Sequence, residues 1–168
     1  MNRMLVVYYS VSNGNTREIA HRVAEYMGAD LAEIRTVQPY EGTHQEIVAQ
    51  GKREVERGYH PPILPLPLRV EDYDVVAIGT PTWWYTMAPA VAAFLSLHEW
   101  AGKTVVPFQT HGGWPGHTLK DIKAACEGAK FCCEGKIRFD SSGGSQMITD
   151  KKEVEQWLQK IKKEVKNK

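Results

Sequence analysis

The chain has 168 residues, of which 42% are hydrophobic and 24% charged. That is the size of one ordinary domain (1–168), too apolar for a disordered chain and large enough to fold without a disulfide or metal staple. Lys and Arg number 21 against 20 Asp and Glu, and a net charge of +1 gives no support for general nucleic-acid attraction.

Met4 to Tyr9 is a continuous apolar run and reads as a strand buried on both faces. Thr16 to Met27 carries Ile19, Ala20, Val23 and Met27 at helical spacing, with Gly28 as a stop. Leu31 to Val37 alternates weakly and reads as a second strand. Tyr40 to Tyr59 is polar and predicts a largely exposed helix, closed by Gly58 and Pro61-Pro62. Asp74 to Gly79 is a third strand. Met87 to Trp100 is a helix with Pro89 in its first turn, where a missing N–H costs little. Thr104 to Phe108 is a fourth strand, Thr118 to Glu127 a helix, and Ala129 to Phe139 holds a fifth strand. Val154, Trp157, Leu158, Ile161 and Val165 form one apolar stripe on a final helix.

The apolar runs are too short for a membrane helix or a secretory leader, which predicts a cytoplasmic protein with no membrane contact. Cys126, Cys132 and Cys133 are odd in number and irregular in spacing, and read as reduced structural thiols rather than a disulfide framework. Strands alternating with helices imply a parallel sheet covered on both faces. Ligands of such sheets lie beyond the carboxyl ends of the strands. Three segments there carry the chemistry.

Ser10-Val11-Ser12-Asn13-Gly14-Asn15-Thr16 joins the first strand to a helix N-terminus. Its hydroxyls, its glycine and the free first-turn N–H groups make an anion site. It contains no Lys or Arg, so a phosphate there is held by neutral donors and the helix dipole. The plainer alternative is a polar turn that caps the helix. The segment is neither a Walker A loop nor a G-x-G-x-x-G fingerprint.

Thr80-Pro81-Thr82-Trp83-Trp84-Tyr85-Thr86 places three consecutive aromatics after a strand end. They cannot all face inward, so at least one is presented to a ligand or partner while one or two pack over the neighbouring helix. A Trp or Tyr face can stack on a flat conjugated ring. In Gln109 to His117, glycines allow backbone amides to approach a ligand. His111 and His117 lack the companions and spacing of a metal site, so no metal is predicted. Together the segments suit a ligand with a phosphate at one end and a flat polar ring at the other.

On these residues the chain resembles the flavodoxin family, in its short-chain, tryptophan-rich branch, over nearly its whole length. Asn13-Gly14-Asn15-Thr16 is similar to the end of the family's phosphate loop, with Asn13 where Thr is usual and Val11 where a hydroxyl residue is frequent. Gly79, Pro81, Trp83 and Trp84 match the branch's Gly-x-Pro-x-Trp-Trp motif, followed by Phe94-Leu95. The resemblance implies a five-stranded doubly wound sheet in the order 2-1-3-4-5, with FMN as cofactor. It implies that Ser10, Ser12, Asn13, Gly14, Asn15 and Thr16 hold the phosphate. Pro81, Thr82, Trp83, Trp84 and Tyr85 would then touch the ring, as would Thr110, His111, Gly112, Gly113 and Trp114 of the second ring-binding loop.

The implied function is low-potential electron transfer between transient redox partner proteins, with no catalytic side chain and a monomer or weak dimer as the assembly. The alternative is an NAD(P)H-dependent quinone or flavin reductase on the same scaffold. Charge bears on this choice, because family carriers are strongly acidic and this chain is not. The charge is uneven, however. Residues 151–168 hold seven Lys and three Glu, a net +4, which leaves −3 on residues 1–150. The basic tail reads as the solvated face of the last helix.

Overall fold

A computed structural model describes residues 3–166 apart from residue 12; Ser12, one of the expected phosphate residues, lies outside the described residues. β1 (Met4–Tyr8) is followed by α1 (Asn15–Met27), β2 (Asp30–Glu33) and α2 (His44–Arg57). Then come β3 (Val75–Trp83), β4 (Thr86–Met87), α3 (Pro89–Ser96), β5 (Thr104–His111) and α4 (Thr118–Ala125). β6 (Lys130–Phe131), β7 (Gly135–Arg138) and α5 (Lys151–Lys166) follow.

The sheet runs β2-β1-β3-β5, and β6 and β7 both pair along the outer side of β5. All pairings are parallel except that of β4, which folds back antiparallel on β3. With β4 set aside and β6 and β7 taken as one interrupted strand, the order is the expected 2-1-3-4-5.

The two-residue period of β1 divides its side chains between two cores. Leu5, Val7 and Tyr9 enter the core shared with Val91, Phe94 and Ile122 of α3 and α4. Met4, Val6 and Tyr8 enter the core shared with Ile19 and Val23 of α1 and Leu158 and Ile161 of α5. Burial on both faces explains why β1 reads as an unbroken apolar run. Gly28 stops α1 in the left-handed conformation, and its N–H bonds back to the carbonyls of the last turn.

Several boundaries differ from the sequence expectation: the helix expected over Tyr40–Tyr59 spans His44–Arg57, and the fourth strand runs to His111 rather than Phe108, so Gln109 to His111 of the third segment are sheet. The second strand ends at Glu33 rather than Val37, with only an isolated bridge from Thr36 to Ile63 beyond it. The third strand runs on to Trp83, so the expected loop from Thr80 to Trp83 is sheet. The helix expected to reach Trp100 ends at Ser96. There the Ser96 hydroxyl donates to the Ala93 carbonyl at 2.7 Å, and the Trp100 indole folds back to donate to Leu95 at 2.8 Å.

The fifth strand is broken at Cys132–Glu134, where Cys133 has a φ of 57°. The break lies opposite Val106-Pro107, which neither β6 nor β7 pairs. Pro107 has no N–H to offer an outer strand, so the ladder loses least there. Trp157 of α5 seals the break, its indole N–H donating to the Cys133 carbonyl at 2.5 Å. A Cβ on Gly135 would come within 2.5 Å of the same indole.

All three cysteines are free thiols. Burial pushes the Cys126 and Cys133 thiols up to about 12, which leaves them inert as nucleophiles at neutral pH. No described helix is long and apolar enough to cross a membrane.

Candidate cofactor-binding site

The carboxyl ends of β1, β3 and β5 bring the three predicted segments together. The turn after β1 enters α1 through Gly14 at φ 74°, a conformation glycine adopts without strain. No side chain caps the helix start among the described residues. The Ser10 hydroxyl accepts from the Arg17 N–H at 3.2 Å, bracing the turn from one side. The Arg17 guanidinium is turned away to Glu33 at 2.6 Å. The turn therefore presents neutral donors and a helix N-terminus, as its composition predicts.

Thr16 is buried, and its hydroxyl meets that of Thr110 at 2.8 Å, tying the turn to the end of β5. The Asn13 side-chain amide donates to the Gly143 carbonyl, and that of Asn15 to Gly144 at 3.1 Å. Asn15 Oδ1 is buried with no partner among the described residues. The segment after β7, Asp140 to Gly144, is thus a wall of the site that the three-loop reading missed. Its Ser-Ser-Gly-Gly composition at a strand end was the available signal.

The aromatic segment is a hairpin. Trp83 pairs Thr86 across a two-residue turn of Trp84 (φ 51°) and Tyr85 (φ 68°). Positive φ at both central residues is the pattern of turns that match strand twist, and it ordinarily selects Asn-Gly. Bulky residues held there signal strain stored where the surroundings enforce it. The enforcing contacts are visible. The Trp84 indole N–H donates to the Val48 carbonyl on α2 at 3.2 Å, and Lys52 lies 5.2 Å from its ring centre. The His117 N–H donates to the Tyr85 carbonyl at 2.8 Å, and the Thr86 hydroxyl donates to Asp121 of α4 at 2.5 Å. Gly116 packs against Tyr85 so closely that a Cβ there would lie 2.3 Å from the Tyr85 carbonyl oxygen.

Trp83 points inward. Tyr9 and Tyr40 meet it edge-on at 6.0 and 5.1 Å, and Gly51 of α2 leaves room for its ring. Tyr40 in turn donates to the buried Glu54 at 2.5 Å, and burial with that carboxylate raises the Tyr40 phenol far above its ordinary value. Trp84, Tyr85 and Trp114 are 41%, 53% and 62% exposed, so these three and not Trp83 are the exposed aromatics of the two segments.

Thr82, Trp84, Tyr85, Gly112 and Trp114 line a cleft of about 220 Å³ between the hairpin and the third segment. Gln109, fully buried, donates through Nε2 to the hydroxyl of the cleft residue Thr82 at 2.7 Å and to the Pro115 carbonyl at 3.1 Å. The Thr82 hydroxyl passes the chain on to the Thr110 carbonyl at 2.9 Å. Gln109 Oε1 is the second buried acceptor without a partner among the described residues. Pro81 pairs Thr110 at the last rung between β3 and β5.

His111 accepts the Gly113 N–H on Nδ1 at 3.0 Å. Burial first, then the charges of Arg138 and Lys136, hold its pKa below the ordinary value, so the imidazole is neutral. His117 faces Asp121 and not His111. No group of three metal-ligating side chains occurs among the described residues.

The fold defines an open parallel α/β protein, and this cleft opens at the carboxyl edge of its sheet, where such folds bind ligands. The family described as Flavodoxin matches residues 3–161, and the chain belongs to that family. Among solved structures it is similar to a candidate flavoprotein from Bacteroides eggerthii, with 28% identity, 95% of this chain and 97% of that one covered, and a TM-score of 0.76. It also resembles a flavoprotein in complex with FMN from Lactobacillus acidophilus (18% identity, 94% and 99% covered, TM-score 0.70). A flavodoxin from the domain Archaea shares 14% identity over 97% and 99% of the chains, with a TM-score of 0.56. No curated protein matches the sequence.

Proposed function

We propose that the chain binds FMN and carries electrons at low potential between transient redox partner proteins in the cytoplasm. The observation that carries this reading is the pairing of two half-sites on one sheet edge. One is a charge-neutral helix N-terminus, and the other an aromatic-walled cleft joined to it through the Thr16–Thr110 hydroxyl contact. The unpartnered Asn15 Oδ1 at the turn calls for a hydrogen-bond donor, and FMN offers hydroxyls. The chemistry of the donor set therefore fits the cofactor.

Ser10, Asn13, Gly14, Asn15 and Thr16 would hold the phosphate. Thr82, Trp84, Tyr85 and the Thr110–Trp114 segment would hold the ring. FMN, when bound, supplies the electron-transfer chemistry. The chain's part is to orient the ring, exclude water from it with Trp84, Tyr85 and Trp114, and set the local charge. Neutral His111, with Nδ1 already engaged, has its proton on Nε2 and is no acid at neutral pH.

A second reading, an NAD(P)H-dependent quinone or flavin reductase, draws on one feature. Another cleft, about 270 Å³, opens on the α2 side of Trp84, lined by Val11, His44, Ile47, Val48, Gly51 and Trp83 with Thr82 and Trp84. It offers an apolar place for a second planar molecule.

An anaerobic absorbance titration of FMN-loaded protein separates the readings. A carrier is reduced by dithionite in two stages and is untouched by NADPH alone. A reductase is bleached by NADPH and restored by a quinone. Failure to take up FMN would end both readings.

A further inference from the structure

Cys132 and Cys133 have no part in the cleft, yet the break in the outer strand holds them in an arrangement that a regular strand forbids. Along a strand, neighbouring side chains face opposite sides of the sheet. Phe131 packs against the core shared with α3 and α4, and Cys132 against the core shared with α1 and α5. Regular alternation would return Cys133 to the side of Phe131. Instead, with its φ of 57°, Cys133 lies in the same core as Cys132. The two thiols therefore share one side of the sheet, close enough that Cys132 adds to burial in raising the Cys133 thiol. Cys132 is half-buried and gives the pair a way to solvent.

The surroundings decide what such a pair can hold. A linear ion such as copper(I) needs its two sulfurs on opposite sides of the metal, and these lie side by side. A tetrahedral zinc needs further protein ligands, and no group of three metal-ligating side chains occurs among the described residues. Both ions also bind thiolates, whose charge burial opposes. Lys160 and Glu164 of α5, the charged groups that act on Cys133, are of opposite sign and offer no net compensation. A trivalent arsenical meets every one of these conditions. It is pyramidal, takes two sulfurs at nearly a right angle, brings its own third substituent and forms a neutral adduct.

We propose that Cys132-Cys133 is a chelating dithiol site for trivalent organic arsenicals. Two As–S bonds form and two As–O bonds break. Each departing hydroxide takes the proton of one thiol and leaves as water, and no atom changes oxidation state. Cys132, the more accessible thiol, reacts first. Cys133 is inert toward reagents arriving from solution, but toward an arsenic already on its neighbour the reaction is intramolecular, and high effective concentration offsets the scarcity of thiolate.

The test uses the full chain without flavin, so its outcome is independent of the FMN reading, and phenylarsine oxide is the probe. Native mass spectrometry is expected to show one phenylarsenic group per chain, kept in excess 2-mercaptoethanol and removed by dithiothreitol. Alkylation after unfolding the adduct is expected to modify Cys126 alone. Cys132→Ser is expected to weaken retention about a hundredfold, because one As–S bond is not a chelate. No adduct on the folded chain, an adduct stripped by 2-mercaptoethanol, or undiminished retention by Cys132→Ser overturns the proposal. Should that variant fail to fold, the alkylation pattern of the wild type decides, and modification of Cys132 or Cys133 in the adduct overturns it. Amide exchange in β5 and β7 is expected to stay as slow in the adduct as in the free chain. Lost protection there would show that arsenic captures the unfolded chain, and overturns the proposal as well.

Discussion

At the end of the cleft proposed for the phosphate, the segment Asp140–Gly144 is held by two asparagine amides, and one of these contacts is solvent-exposed. At the ring end, Trp84 and Tyr85 are held by α2, by the start of α4 and by Gly116, in backbone conformations they do not favour on their own. On the FMN reading, the difference follows from what each end would recognise. A phosphate is met by many equivalent donors, and a turn that adjusts slightly still satisfies it. A planar ring is met by faces, whose value depends on their angle and separation. The rigid end is therefore the one whose geometry has to be enforced.

The comparison can be broken at its tightest point. Gly116→Ala places a methyl against the Tyr85 carbonyl at a left-handed position. Overpacking and left-handed strain together make this a loss of about 2–4 kcal/mol. Urea unfolding is expected to show a lower midpoint with an unchanged slope, together with weakened FMN binding. Retained FMN affinity would mean that the hairpin and the third segment are not one unit.

Tyr85→Gly sharpens the comparison from the other side. Tyr85 is more than half exposed, so little packing is lost. Removing left-handed strain worth about 1–2 kcal/mol outweighs the extra chain entropy of glycine, leaving the variant about 0.5–1 kcal/mol more stable. FMN affinity is expected to fall in the same variant, the pattern of strain kept for function. A variant that is less stable as well as weaker in binding would show that the turn stores no strain.

The smallest effect concerns pH. His111 has a depressed pKa in the folded chain, so below its ordinary value of 6.5 the unfolded chain binds the extra proton more readily. Its contribution to stability is full above that value and declines as pH falls from 7 to 5. Protonation also removes the Nδ1 lone pair that accepts from Gly113. His111→Gln is expected to flatten that part of the stability curve, measured as urea midpoints at pH 7.5 and pH 5. Parallel curves for the two proteins would place His111 in water.

Much of this was legible in sequence where a local pattern and a local cause coincide. The buried run of β1, the stripe of α5 and the uncharged turn after β1 each state their environment in their own residues. Trp83 and Trp84 were legible as a pair but not as opposites, because which of two neighbours turns inward depends on Tyr9, Tyr40 and Gly51 in other elements. The hairpin of β4 carried no turn signal, since Trp-Tyr stands where Asn-Gly would announce it. The break in the fifth strand is explained by Pro107, one strand away, together with a left-handed Cys133 that nothing nearby in sequence foretells. The segment Asp140–Gly144 is the extreme case: its contacts span most of the chain, and its composition marks a loop without saying what the loop covers.

The interrupted outer strand has a further effect on how the molecule meets others of its kind. An intact edge strand is a row of free amides and carbonyls on which another chain can add itself. Here that margin is cut into a two-residue and a four-residue piece, kinked between them and pinned by Trp157. A visiting strand would find no continuous register to follow. The same kink that spoils the regularity of the sheet therefore guards this edge against edge-to-edge aggregation.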